Sequence, residues 1–286
     1  MLTFGRANQK REMKEILLSC GFVCFGSLAL AQQATVAPTI DRNLSPIARL
    51  ENLTQTHSAM TEDTKQKLTL AEQKTKQLFK VVEERGLIVA GKLESVLNEE
   101  IVKLAKEEFG MEKHWHKKIV RSGVNTLQSY SGNPPDRIIE QNDIVFLDFG
   151  PIYEGWEADV GRTYVLNNDA LKVKLKNDVE AAWKEAKEWY NQQTQLTGAE
   201  FFSYLQALAR KYGWEYGGEI GGHIIGRFPH EQPDLPNDLS LDIHPNNHNS
   251  ILLLDKNGNQ RQWVLEIQFV DRAKGIGGFF EQMLND

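Results

Sequence analysis

Charged or ionisable groups interrupt apolar, strand-like runs at five places in the C-terminal half of the chain, and this constrains the fold more than any other feature. Asp148 lies in Ile144-Val-Phe-Leu-Asp-Phe-Gly150, Asp159 in Trp156-Glu-Ala-Asp-Val160, and His223 in Ile220-Gly-Gly-His-Ile-Ile225. Glu266 lies in Trp263-Val-Leu-Glu-Ile267 and Glu281 in Gly278-Phe-Phe-Glu-Gln-Met-Leu284. A lone carboxylate taken from water into a protein interior costs several kcal/mol or more, so such groups are paired, protonated or bound to a cation. Four carboxylates cannot neutralise one another. The strands that carry them must therefore converge on a shared cation, and two cations match the charge better than one.

The chain around these runs has an ordinary globular composition, 286 residues with 41% hydrophobic and 25% charged side chains, enough for one large domain or two small ones. The N-terminus differs. Arg6, Lys10, Arg11 and Lys14 precede an apolar run from Ile16 to Ala31 that closes on Ala29-Leu-Ala31, so residues 1–31 are expected to be a cleaved secretory signal. The run is short for a membrane-spanning helix, which needs about 20 apolar residues. Cys20 and Cys24, the only cysteines, fall inside it, and a mature chain would have neither a disulfide nor a thiol nucleophile. The expected location is periplasmic or extracellular. The net charge of −6 disfavours nucleic acid, whose phosphates require clustered Lys and Arg. A P-loop, a dinucleotide Gly fingerprint and a G-x-S-x-G elbow are all missing from the sequence.

Residues 32–60 are polar and contain Pro38 and Pro46, and read as a tail or linker ahead of a catalytic domain over 61–286. Apolar spacing predicts helices from Thr61 to Glu84 and from Leu93 to Phe109, stopped by Gly86 and Gly110. Strands are expected from Lys117 to Leu166. Two more helices follow, Asp169 to Tyr190 and Gly198 to Tyr212, and then strands over Glu215–Gly226 and Leu252–Leu284, with a hairpin turn at Asp255-Lys-Asn-Gly258. Helix, helix, strands occurs twice, which predicts a duplicated α+β fold with helices packed on one face of a mainly antiparallel, curved sheet.

Asp148 and Asp159 stand eleven residues apart across Gly150 and Gly155, so facing strands would aim both into one cavity. A second hairpin would bring Glu266 and Glu281 together. One imidazole and four carboxylates form a hard, oxygen-rich donor set that suits two divalent ions of the Mn, Fe(II) or Co type, with Zn also able to bind.

These motifs, Asp148-Phe-Gly150, Ala158-Asp-Val-Gly-Arg-Thr163, Gly222-His-Ile-Ile-Gly-Arg-Phe-Pro-His-Glu231, Leu265-Glu-Ile267 and Phe280-Glu281, resemble those of the pita-bread metallopeptidases in the same order. That group includes methionine aminopeptidase, aminopeptidase P, prolidase and creatinase. The resemblance implies a pita-bread fold in which Asp148 binds a first metal, His223 and Glu266 a second, and Asp159 and Glu281 bridge them. It further implies that Glu266 shuttles a proton and that His230 hydrogen-bonds the substrate. The activity it implies is that of an aminopeptidase removing N-terminal residues from peptides; an X-Pro preference is left open, because the region before Thr61 is too short for the extra N-terminal domain of prolidase and aminopeptidase P. A creatinase-like C–N hydrolase, a dipeptidase and a non-catalytic binding module of the same fold are the alternatives, and a homodimer is compatible with all of them.

The chain departs from the family in three respects. Aligning on Ser122-Gly-Val-Asn-Thr126 puts Tyr130 where relatives carry a histidine, which makes Tyr130 a substrate-binding candidate. The step from Glu266 to Glu281 is tight. The region before Thr61 is short for the N-terminal domain of prolidase and aminopeptidase P, so a short form is expected. His114 and His116, flanking Trp115 at a helix-to-strand transition, read as structural. His244 and His248 read as surface residues of a loop, and Trp156, Trp214 and Trp263 as core.

Overall fold

The computed structural model describes residues 46–235 and 237–285, with side-chain contacts from Met60 onward. The signal expected at residues 1–31 lies outside the described residues. Helix α1 spans Pro46–Glu84 and α2 Glu94–Phe109. Helix thus begins at Pro46 rather than at the expected Thr61, within the stretch read as a tail or linker, whose residues 32–45 lie outside the described residues. Pro46 opens α1, and its locked φ and missing N–H suit a first helical position. Leu68, Ala71, Leu78, Phe79 and Val82 form the buried stripe of α1, and Leu97, Ile101, Leu104 and Ala105 that of α2. Gly110 ends α2 with φ 70°, a left-handed conformation that glycine adopts without Cβ strain.

Strands β1 (Lys113–His114), β2 (Ile119–Ser122), β3 (Ile144–Phe149), β4 (Pro151–Tyr153), β5 (Trp156–Glu157) and β6 (Val160–Val165) complete the first half. The second half repeats the order. Helices α3 (Ala170–Tyr190) and α4 (Gly198–Tyr212) are followed by β7 (Glu215–Tyr216), β8 (Ile224–Ile225), β9 (Gln262–Asp271) and β10 (Ile276–Met283). Asp169 caps α3 through the amides of Leu171 and Lys172, and Thr197 and Glu200 form a reciprocal capping box on α4.

The main sheet runs β2-β3-β6-β10-β9-β7, with β8 on β9, and every pairing is antiparallel; β1, β4 and β5 form a separate small sheet. Residues between Tyr216 and Ile224, expected as strand, are instead a close crossing over β9. At Gly222, with φ 140°, a Cβ would lie 2.0 Å from the Val264 carbonyl oxygen, so only glycine lets the two backbones approach. The Asp255–Gly258 turn forms, closed by a hydrogen bond from the Gly258 amide to the Asp255 carbonyl, but the long hairpin of this half turns between Asp271 and Ile276.

Alternation along the strands assigns two environments. Val145, Leu147, Phe149 and Val160 pack with α1 and α2 in one core; Leu265, Ile267, Phe269 and Phe280 pack with α3 and α4 in another. All four helices thus cover one face of the sheet. The intervening residues, Phe146, Asp148, Glu266, Gln268, Phe279 and Glu281, line a cavity on the opposite face. This is the α+β arrangement expected from the sequence.

Candidate metal centre

Register sets the site. Directly opposed residues form one row across five strands: Ile119, Asp148, Gly161, Glu281 and Glu266. Opposed residues project from the same face, and neighbouring strands lie about 4.8 Å apart, so the row delivers three carboxylates to one surface with a gap at Gly161. The gap is used: a Cβ at Gly161 would stand 2.3 Å from the Phe279 ring and 3.0 Å from the Glu281 Cβ. Asp159, two residues before Gly161, projects the same way from the end of the β4–β5 excursion. Asp148 and Asp159 are thus brought together without a simple hairpin, because β3 and β6 pair while the chain between them joins the smaller sheet.

His223 arrives from the crossing. The Val264 amide donates to the His223 carbonyl (2.8 Å) and the Glu266 amide to the Gly221 carbonyl (3.1 Å), which seats the histidine beside β9. Its Nδ1 meets the Ile224 carbonyl oxygen at 2.8 Å, and its Nε2 lies 3.3 Å from Asp159 Oδ2.

One residue read as structural belongs here. His116 Nε2 lies 3.1 Å from Asp159 Oδ1 and 3.7 Å from Asp148 Oδ1, with Nδ1 2.8 Å from the Lys117 carbonyl oxygen. The correction has a physical cause. The segment Lys113–His116 runs antiparallel to Gly150–Ile152, and the Trp115 amide donates to the Gly150 carbonyl, so His116 is folded over the end of β3. His116 sits in the polar stretch Glu112–Lys118, so no buried charge in an apolar run marks it in the sequence. His114 keeps its structural reading. Its two ring nitrogens are buried without a hydrogen-bond partner among the described residues, and burial lowers its pKa to about 3.

Two groups of ligand atoms fall within 4.8 Å of one another: His116, Asp148 and Asp159, and then Asp159, His223 and Glu281. They share Asp159. Glu266 is in neither group but lines the same cavity, opposite Glu281. The electrostatics call for a cation. Burial, reinforced by neighbouring carboxylates, raises Asp148 to about 7 and Glu266 to about 8, and lifts Glu281 well above the ordinary carboxylate value. Burial also pushes Asp159 up, but His116 and His223 outweigh it and hold Asp159 low. Desolvation lowers both histidines, and Asp159 more than reverses this, leaving each at about 9. Asp148 Oδ1 is buried with no hydrogen-bond partner among the described residues. A buried carboxylate oxygen without a donor, amid three further carboxylates, fits a divalent ion.

The cavity, about 370 Å³, is lined further by Trp115, Tyr130, Arg121 and His230. The Trp115 indole stands edge-on to three imidazoles, with centroids 4.5 Å from His116 and 5.3 Å from both His223 and His230, and its Nε1 donates to the Ala158 carbonyl. Tyr130, half exposed, lies 6.1 Å from the His116 ring, and its hydroxyl accepts from the Lys117 amide. His230 is held by Glu157: its Nδ1 lies 2.9 Å from Oε2, and its amide donates to Oε1 (3.2 Å). Glu157 is fully buried and also accepts from the Gly226 amide. It stands two residues before Asp159, and that period-two signal could have found it.

A one-sided antiparallel sheet presenting carboxylates and imidazoles around a shared aspartate defines a metal-dependent hydrolytic protein class. The metallopeptidase family M24 model matches residues 66–257, two thirds of the chain, and the chain belongs to this family. The match includes Asp148, Asp159, His223 and His230, while Glu266 and Glu281 follow it. No curated protein matches the chain. Among solved structures, prolidase from Thermococcus sibiricus is similar at 23% identity and a TM-score of 0.61, over 85% of this chain and 65% of that one. X-Pro aminopeptidase from Thermotoga maritima shares 22% identity at a TM-score of 0.60, over 82% of this chain and 64% of that one. Methionine aminopeptidase from Thermotoga maritima shares 16% identity at 0.56, over 76% of this chain and 90% of that one. The chain therefore spans about two thirds of the first two proteins and most of the third, and its fold is the pita-bread fold.

Proposed function

We propose that this protein is a dinuclear metal-dependent exopeptidase that removes N-terminal residues from short peptides. The observation that carries the reading is the pair of ligand groups sharing Asp159, one carboxylate oxygen facing each. Asp148, Asp159, Glu281, His223 and Glu266 would hold the ions, and the donor set favours Mn, Co or Fe(II), with Zn able to bind. Bound there, divalent ions would supply Lewis-acid polarisation of a peptide carbonyl and a water of lowered pKa.

The chain's own residues supply the rest. Glu266, on the cavity wall directly opposite Glu281, is placed to accept and return a proton. His230 is oriented by Glu157 through Nδ1, which leaves Nε2 for the substrate. Trp115 and Phe279 provide apolar walls that exclude water from the reacting groups. Arg121, 3% exposed, lines the cavity from β2 and donates to the carbonyls of Gln128 (2.6 Å) and Gly132 (2.8 Å), with no carboxylate ion-paired to it among the described residues. A buried guanidinium in this position favours substrates with a nearby free carboxylate, which supports di- and tripeptides, X-Pro sequences among them. Residues 1–31 support action outside the cytoplasm, and among the described residues no helix is long and apolar enough to cross a membrane.

The test is release of free amino acids from a peptide panel with free or amidated C-termini, using metal-free protein with Mn, Co, Fe(II) or Zn added back. Cleavage that requires metal and disappears in Asp159→Ala is expected. Metal-independent cleavage, or none with any of the four ions, would overturn the reading.

A further inference from the structure

We infer that His116 is a further ligand of the metal centre, so that each of its two cations carries one imidazole. The inference rests on the dinuclear reading above and concerns a residue outside the five-ligand set that reading uses.

The geometry around Asp159 is mirrored. Oδ1 faces His116 Nε2 at 3.1 Å, and Oδ2 faces His223 Nε2 at 3.3 Å. Each histidine directs Nδ1 to the carbonyl oxygen of the residue that follows it, Lys117 or Ile224, at 2.8 Å in both cases. A backbone carbonyl only accepts, so each Nδ1 carries a hydrogen; each Nε2 faces the carboxylates, donating a hydrogen to Asp159 while no cation is present and able to give that hydrogen up and turn its lone pair to a metal. This arrangement, a backbone carbonyl fixing the tautomer and the other nitrogen directed inward, is the usual support of a metal-ligating histidine. His223 has it by virtue of its place in the ligand set. His116 has it equally.

Spacing agrees. Neighbouring donors on a first-row cation with bonds of about 2.1 Å stand roughly 3 Å apart. The 3.1 Å and 3.7 Å separations of His116 Nε2 from Asp159 and Asp148 are of that size, and the three atoms enclose a common point. Asp148 Oδ1, the oxygen nearest His116, is the buried acceptor without a donor among the described residues.

The position is also built for this ring. A Cβ on Gly150 would lie 2.0 Å from His116 Cδ2 and 2.1 Å from Nε2, so any other residue there would displace the imidazole. The Trp115 indole, 4.5 Å away and nearly perpendicular, packs against the ring. A histidine that merely filled space would not need its inward nitrogen between two aspartates.

The inference predicts a count. Metal-free protein loaded with two equivalents of Co(II) would be studied by proton NMR. The Nδ1 hydrogen of each cobalt-bound imidazole then gives an exchangeable resonance shifted far outside the diamagnetic window. Two such resonances are expected, His116→Ala removing one and His223→Ala the other. Calorimetric titration with Co(II) should show two sites in the wild type, with one weakened at least tenfold in His116→Ala. His116→Gln keeps most of the side-chain volume and should behave as the alanine variant does. A single resonance in a wild type that binds two cobalt ions would overturn the inference while leaving the dinuclear reading intact. Failure of the wild type to bind cobalt at two sites would overturn that reading, and the inference with it. The wild-type count needs no variant, so a substitution that prevents folding does not remove the test.

Discussion

Glu157→Gln isolates the role of a carboxylate that touches no ligand of the metal centre. Three donors converge on Glu157. The Gly226 amide (3.0 Å) and His230 Nδ1 (2.9 Å) meet Oε2, while the His230 amide (3.2 Å) meets Oε1. A glutamine has the same shape but only one acceptor. With its oxygen in the Oε2 position, the amide nitrogen faces the His230 N–H and one hydrogen bond is lost; in the other orientation two are lost. A buried donor left unsatisfied costs about 1–3 kcal/mol. At about 2–4 °C per kcal/mol for a domain of this size, the melting temperature should fall by roughly 5 °C. The metal sites should stay filled, because Asp148, Asp159, His223, Glu266 and Glu281 are untouched. Activity should fall through His230, whose ring loses its anionic partner; a loss of about 2 kcal/mol in orientation corresponds to roughly thirtyfold in kcat/KM. Differential scanning fluorimetry, metal analysis and peptide hydrolysis measure the three quantities separately. A variant that melts within 1 °C of wild type and hydrolyses peptides within twofold of it would refute the reasoning. Loss of bound metal would show instead that Glu157 acts on the centre itself.

Further outcomes follow from the same geometry. Gly150→Ala places a methyl group 2.0–2.1 Å from the His116 ring, so it should displace that imidazole at an overpacking cost of about 1–3 kcal/mol and weaken Co(II) binding in calorimetry; unchanged affinity would contradict the placement of His116. Metal-free protein should lose stability as pH rises. Asp148 and Glu266, raised to about 7 and about 8, contribute stability that is complete below about pH 4, the unfolded value, and is lost through those folded values, while His116 and His223 contribute below 6.5 and lose it through about 9. Melting temperatures in EDTA should therefore fall progressively from about pH 4 to pH 9, with the gap to Mn-loaded protein widening; a flat metal-free curve would contradict the charge assignment. Arg121→Gln should raise KM for free-acid dipeptides at least tenfold and leave C-terminal amides within threefold, as read by paired kinetics; equal effects on both would remove Arg121 from substrate binding.

Much of the centre was legible in the chain because burial makes charge conspicuous. Asp148, Asp159, His223, Glu266 and Glu281 stand in apolar runs, and all line one cavity, the last two directly opposed in the β9–β10 hairpin. The helices were equally legible: α4 matches its expected bounds, and Asp169, Thr197, Gly110 and Gly213 mark helix ends through local dihedral and hydrogen-bond preferences that need no distant partner. The start of α1 was not: Ile47, Leu50 and Leu53 recur at helical spacing, but the polar run Thr54–Ser58 separates them from the stripe that Leu68 begins.

His116, Trp115 and Glu157 belong to the other class. His116 reaches Asp159 across 43 positions of sequence, and Glu157 reaches His230 across 73. Nothing local in a polar Lys-His-Trp-His-Lys segment distinguishes a ligand from a surface residue. That distinction comes from the antiparallel pairing of Lys113–His116 with Gly150–Ile152 and from the missing Cβ of Gly150. Sequence alone thus determined which groups could not stand uncompensated in an apolar strand, because the desolvation penalty belongs to the residue and its immediate neighbours. Only the tertiary structure decided which further groups meet them, because that depends on strand register and on the few ångströms by which separate segments approach.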